Sequence, residues 1–315
     1  EADFTAGTFL ISFGAVLGKL SFQQLSVMAT IETVFITLVT VVGYNSFLVA
    51  DIGGSMFIHT FGAYFGLSVA IMINKKTKKH YDNPKCGAGY NSNLFAMIGT
   101  IFLWMFWPSF NGALGLAHAQ LRSVVNTYLS LTGSVFMVFM LNPFFKDGKF
   151  NMEDVLNASL AGGVAIGASA DLIIYPWVAL IIGCGAGTIS IIGFEKLSPY
   201  LAKKINLHDT CGVHNLHGMP GFFGGIIAVI ISGSAKKENY GDSLDILWPK
   251  FNERGSSNQA GYQLAALFLV VGTAIITGLI TGAIMNLSIF KQYEPYEDSE
   301  QWFMEEEEHH ALDRK

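Results

Sequence analysis

Nine apolar runs, most of them near twenty residues long, restrict this chain to one kind of solvent. They fall near 4–20, 25–48, 51–73, 94–108, 122–142, 154–172, 174–195, 211–233 and 260–288. A helix of about twenty apolar residues crosses the roughly 30 Å hydrocarbon core of a bilayer. Inside lipid only helices and closed barrels satisfy their own backbone. Charged residues make up 14% of the chain, against about 25% in a soluble domain, and several uninterrupted runs near twenty residues argue against a single soluble core. The 34 glycines suit close helix contact. The chain reads as an all-α polytopic membrane protein. Pro108, Pro143, Pro176 and Pro249 stand at or near span ends, where proline does least harm. Cys86, Cys184 and Cys211 are odd in number and widely spaced, which argues against a disulfide framework. No metal-binding spacing and no basic patch for nucleic acid occurs.

Loop charge orients the spans. Lys19, then Lys75, Lys76, Lys78, Lys79 and Lys85, then Lys146 and Lys149, then Lys196, Lys203 and Lys204 collect on alternate loops. By the positive-inside bias these loops are cytoplasmic. The first span then enters from outside, and the C-terminus is cytoplasmic. From Lys291 the chain becomes acidic, with four glutamates from Glu305 to Glu308 followed by His309 and His310. Residues 291–315 are expected to form a solvated cytoplasmic tail beyond a transmembrane domain over 1–290. No signal peptide precedes the first span, and the chain opens without Met, so it is expected to be N-terminally incomplete.

Two stretches answer each other across this topology. Asp51-Ile-Gly-Gly54-Ser-Met-Phe-Ile-His59 and Asp209-Thr-Cys-Gly212-Val-His-Asn-Leu-His217 share Asp, Gly three residues on and His eight on. Their spans run in opposite directions, the signature of an inverted-topology repeat with its site near the midplane. Eight helical residues advance about 12 Å, placing each histidine near mid-depth. An ionisable group there is costly and implies function. Two neutral imidazoles can share one hydrogen bond and turn their remaining nitrogens to a small polar solute. The alternative is a pair of hydrogen-bonded packing histidines.

Other groups carry less. His214 neighbours His217 on one helical face and suits packing or a vestibule better than a metal site. Asp51 and Asp209 sit where carboxylates cap helices, and Asp51 could also organise carbonyls near a cation. Asp171 and Glu32 could attract a cation or snorkel, which the sequence leaves open. Gly62 with Gly66, Gly278 with Gly282, and Gly162, Gly163, Gly183, Gly185 and Gly187 mark packing faces. Phe102, Trp104, Phe106 and Trp107 read mainly as an interfacial belt, whereas Phe110, beyond Pro108, could cover a pore mouth.

These motifs resemble those of the Rhesus-type ammonium transporters. The likeness runs through Asp51 to Gly66, Phe95-Ala-Met-Ile-Gly-Thr, Trp107-Pro-Ser-Phe-Asn111, Asn157-Ala-Ser-Leu-Ala-Gly-Gly-Val-Ala and Asp209 to Gly221, in family order, and covers residues 2–290. It implies a bundle of 11 or 12 helices in inverted repeats, with about nine present here, assembled as homotrimers in the plasma membrane. It implies transport of ammonium or ammonia without a cofactor or enzymatic chemistry. His59 and His217 match the twin pore histidines, and Phe4 and Phe110 the stacked phenylalanine gate. Asp51 matches an acid near the recruitment site, and Asp3 an outer vestibule acid. Thr40 stands where some relatives carry a further acid, which implies weaker recruitment. The family also admits a non-transporting scaffold, whose members lack the twin histidines, and a carbon dioxide channel. An intramembrane enzyme would need a nucleophile or a full metal set that the motifs do not supply.

Overall fold

The computed structural model describes residues 2–74, 85–116, 118–290, 294–297, 299 and 302–303. The lysines at 75, 76, 78 and 79, the four glutamates at 305–308 and the paired histidines at 309–310 lie outside these. Each of the nine apolar runs is helical. In chain order they are α1 (Ala2–Val16), α2 (Phe22–Val41, prolonged by a π-helical turn Val42–Phe47), a π-helical turn Ser55–Thr60 leading into α3 (Phe61–Asn74), α4 (Tyr90–Gly112) and α5 (His118–Phe145). A broken span follows, made of α6 (Met152–Ala158), α7 (Ala161–Ile166) and a 3-10 turn Gly167–Ser169. Next come α8 (Pro176–Ile192), continued through a π-helical turn Gly193–Leu197 into α9 (Ser198–Ile205), and a π-helical turn His214–Gly218 leading into α10 (Met219–Ser234). After the short α11 (Lys237–Tyr240) and α12 (Leu244–Leu247), α13 (Phe251–Met285) closes the bundle. Seven of the spans are long and apolar enough to cross a bilayer unaided. The other two are the 15-residue α1 and the broken 152–169 segment.

The termini follow local chemistry. Ser21 Oγ accepts from Gln24 N at 3.3 Å while Gln24 Oε1 accepts from Ser21 N at 2.8 Å, a capping box that starts α2. Gln24 Nε2 also donates to Met285 O, tying α2 to the end of α13. Pro176 sits in the first turn of α8, where its missing N–H is not needed. Pro108 and Pro143 lie within the last turn or two of α4 and α5, near span ends as expected.

Two stretches of irregular backbone are buried within the bundle, and side chains of neighbouring helices satisfy both. Ser134 Oγ of α5 donates to Ala158 O at 2.6 Å and accepts from Gly162 N at 3.1 Å, across the break between α6 and α7. Ser130 Oγ donates to Gly162 O, and Asn126 Nδ2 to Ala170 O and Ile173 O. At the other stretch, Gln259 and Gln263 of α13 serve the carbonyls of Leu48 and Ala50. Unmet backbone groups in hydrocarbon each cost several kcal/mol, about enough to forbid such breaks without these partners.

Glycine contacts draw α3 between its neighbours. A methyl group at Gly66 would lie 2.6 Å from Ser12 Cα and O of α1, and one at Gly278 of α13 would lie 2.5 Å from Phe65 O of α3. Of the expected packing glycines, Gly62, Gly66, Gly162, Gly183, Gly187 and Gly278 abut a neighbouring backbone in this way, whereas Gly163 and Gly185 face the rings of Trp107 and Phe223. Gly66→Val is expected to cost about 1–3 kcal/mol of overpacking and to lower the melting temperature in detergent by several degrees. Gly272→Ala, at an open position of α13, is the control and should leave it unchanged.

Candidate functional site

The two echoed stretches form the same local structure. In each, the glycine three residues after the aspartate takes a left-handed conformation, with φ of 70° at Gly54 and 69° at Gly212. Most side chains disfavour that region. The aspartate then receives the amides freed at the turn. Asp51 Oδ2 accepts from Met56 N at 3.0 Å and Phe57 N at 2.8 Å. Asp209 accepts from Val213 N through Oδ1 at 3.0 Å and from His214 N through Oδ2 at 2.9 Å. Burial pushes the Asp209 carboxyl above the usual carboxylate range, against the pull of these amides. Both histidines then lie in π-helical turns, where wider winding is frequent at functional sites. The regular α-helical step expected from aspartate to histidine is therefore replaced by a tight turn and a wide one.

The two turns meet. His59 Nδ1 and His217 Nδ1 lie 3.1 Å apart, with near-parallel rings 5.1 Å between centroids. One proton serves that contact, so one ring donates and the other accepts. If both rings are neutral, the two Nε2 atoms are then left as one donor and one acceptor. His59 is buried, and its Nε2 has no protein partner. Trp107 stacks over His59 at 5.6 Å and 23°, and Phe110 lies 6.0 Å away. The belt reading of Trp107 is corrected here: it is buried, while Phe102 and Phe106 are exposed as expected. The missed signal is its spacing, three residues before Phe110 on one helical face.

Two cavities lie toward opposite ends of the bundle, and neither is lined by His59 or His217 themselves. The larger, about 920 Å³, is lined by Phe4, Thr40, Tyr44, Asp51 and Asp171 together with the 114–119 and 246–247 segments. On the orientation expected from loop charge, that face is the outer one. The smaller, about 60 Å³, is lined by Ser198, His208, Asp209 and His214 among others. Asp51 and Asp209 thus face opposite sides, as an inverted pair of half-spans requires. Phe4 and Phe110 meet between the large cavity and His59, with centroids 4.8 Å apart. Their rings stand at 85°, edge to face, and not parallel as the resemblance implied. Asp3 is exposed in the first turn of α1 and is not among the cavity's lining residues. His214 packs edge-on to Tyr64 and lines the small cavity, in keeping with a vestibule position. Glu32 does not snorkel: it is buried in α2, with Ser12 Oγ donating to Oε2 at 2.5 Å. Among the described residues no group of three or more His, Cys, Asp or Glu is placed to hold a metal ion.

The sequence profile of the Ammonium Transporter Family matches residues 1–307. The zebrafish (Danio rerio) protein named Ammonium transporter Rh type B is 42% identical over 333 residues, covering 99% of this chain and 70% of that protein. Its namesake from Xenopus tropicalis is 44% identical over 316 residues, covering 96% and 67%. Among solved structures, Nitrosomonas europaea Rh50, described with a mechanism of conduction by the Rhesus protein family of channels, aligns with a TM-score of 0.81 at 34% identity. That alignment covers 99% of this chain and 77% of the other. Saccharomyces cerevisiae Mep2 shares the fold, with a TM-score of 0.72 at 20% identity over 90% of this chain and 63% of its own.

Proposed function

We propose that this chain, which belongs to the Ammonium Transporter Family, conducts ammonia across a membrane along His59 and His217, drawing it from ammonium at the larger cavity. The family is one of transporters and not enzymes, and the chain is a multi-pass membrane protein. The observation that carries the reading is the imidazole pair, 3.1 Å apart with His59 buried and His217 half-buried, between cavities on opposite faces.

Charge and solvation set the sequence of events. The cavity that holds Asp51 attracts a cation. Beyond the edge-to-face rings of Phe4 and Phe110 the surroundings are apolar, and carrying a bare charge there costs several kcal/mol, about the penalty for an unpaired buried ion. Ammonium therefore gives up its proton to water of the larger cavity before the rings, and ammonia continues. Ammonia both donates and accepts hydrogen bonds, which matches the one donor and one acceptor left on the pair. It takes up a proton again beyond His214. Asp3 adds a surface charge at the entrance, while Thr40 adds none.

The assembly is read as a homotrimer in the plasma membrane, with lipid or a second copy against the exposed apolar faces of α2 and α4. The transmembrane domain over 1–290 is followed by a cytoplasmic tail over 291–315. The test is ammonia and methylammonium flux into proteoliposomes of the full-length protein, with current recorded. The expected result is permeability well above that of empty liposomes. Vesicles no leakier than empty ones overturn the reading, and flux without current identifies ammonia as the net species.

A further inference from the structure

Two acids meet at the end of the bundle that loop charge makes the inner one. Asp154 lies in the first turn of α6 and is 4% exposed. Glu195 stands in the π-helical turn Gly193–Leu197 that follows α8, and the two carboxyl groups are within hydrogen-bond reach of each other. A carboxylate has no hydrogen to donate, so the contact forms only while one of the pair keeps its proton. The other partners are set. Asn142 Nδ2 of α5 donates to Asp154 Oδ2 at 2.6 Å, and Lys146 Nζ to Glu195 Oε1 at 2.8 Å.

The charges around the pair do not balance it. Lys146 is the cation that bears on Asp154 and Glu195, and Glu153 in turn bears on Lys146. Lys196, beside Glu195 in the chain, is turned over the Phe145 ring at 5.4 Å. The packed helices α4, α7 and α8 carry no charged residue. One cation between two acids leaves the fully ionised pair in repulsion. Both arms of the pair also grip the turn that carries His217. α6 and the 193–197 turn each pack against His214–Gly218, whose titratable side chains are His214 and His217. A methyl group at Gly193 would lie 2.6 Å from Asn215 Oδ1, and Asn215 Nδ2 donates to Ser198 Oγ at 2.8 Å.

We propose that Asp154 and Glu195 are positioning residues for His217, a clasp closed by one shared proton that frees the His214–Gly218 turn when the proton is lost. The direction follows from where the proton sits. At low pH the pair shares it and the clasp is shut. As pH rises the second carboxyl ionises, the two repel, and α6 parts from the 193–197 turn. Lys146 is half-exposed, so the proton exchanges with solvent at the inner end. The effect on flux rests on the transport reading above.

Ammonia permeability is measured in proteoliposomes of the full-length protein, with equal pH on both sides, from about pH 5.5 to about pH 8.5, a range that brackets a buried carboxyl pair. Per unit of ammonia, wild-type permeability is expected to fall about threefold as pH rises, the size of a coupling carried through one packed contact. Asp154→Asn gives Glu195 a permanent amide donor and should hold permeability at its low-pH level throughout. Glu195→Gln should do the same from the other side. Hydrogen exchange at residues 214–218 in detergent reads the clasp without transport. Beyond the intrinsic base dependence, these amides should exchange faster with rising pH in the wild type and not in either variant. His214 and His217 are present in all three proteins, so a titration of theirs would give the variants the wild-type profile, and that result overturns the clasp. A flat wild-type profile in both measurements overturns it as well. Wild-type protein without flux at any pH, but with pH-dependent exchange that the variants lack, sinks the transport reading and leaves the clasp standing.

Discussion

Replacing His59 and His217 together by alanine is expected to cut ammonia permeability about 30- to 100-fold in proteoliposomes. That range follows from losing a hydrogen-bonding partner in a dry lumen, worth about 2–3 kcal/mol for a small polar solute. The expectation has a competing steric term. Alanine removes two rings that lie 5.1 Å apart and widens the passage, so a lumen limited by size alone would conduct faster. The sign of the change therefore separates the two accounts. Single variants sharpen the test. His59→Ala leaves His217 Nδ1 without the contact it makes at 3.1 Å, so its loss should approach that of the double variant. His214→Ala, which removes a ring packed against Tyr64 at the inner cavity, should change permeability by less than about threefold, as expected of a residue away from the shared contact. Equal permeability in the double variant and the wild type removes the histidines from the path.

Much of this arrangement is legible before any coordinates, and the reason is physical. Apolar runs set by bilayer thickness each locate a helical span, and loop charge orients the two aspartate–histidine stretches oppositely. The cavities lined by Asp51 and by Asp209 then open on opposite faces as that orientation requires. What escapes is backbone winding. Nothing in Ser55–Thr60 or His214–Gly218 distinguishes a π-helical turn from an α-helical one by composition. Only the glycine three residues after each aspartate hints that the chain must turn left-handed first. The break between α6 and α7 is equally silent, because the side chains that permit it, Ser130 and Ser134, come from a different helix. Trp107 is misread for the opposite reason. Aromatic residues near a span end are ordinarily anchors, and its burial against His59 depends on how α4 is rotated in the bundle. Asp171 and Glu32 are visible as acids in apolar surroundings, but their different fates, one beside a cavity and one beside Ser12, are decided by packing.

Asp51→Ala is expected to remove both stability and flux, and comparison with Asp51→Asn separates the causes. Asp51 is 1% exposed and accepts the amides of Met56 and Phe57, while Tyr44 OH donates to its carbonyl. Alanine strands two buried N–H groups at about 1–3 kcal/mol each and frees the turn that carries His59. At a few degrees per kcal/mol for a protein of this size, the melting temperature in detergent should fall by about 10 °C. Flux should fall below detection. Asparagine keeps an amide oxygen that can accept both N–H groups, but it removes the charge. Its melting temperature should stay within about 3 °C of wild type, since the caps survive, while the half-saturating methylammonium concentration rises. Asp209→Ala completes the comparison. It strands the amides of Val213 and His214 and should destabilise the protein comparably. Asp209 faces the other cavity, however, so Asp209→Asn should leave outer half-saturation unchanged. An Asn variant of Asp51 as unstable as the Ala variant would show that the charge itself holds the turn. One with unaltered half-saturation would reduce Asp51 to a cap, the role of its counterpart on the opposite face.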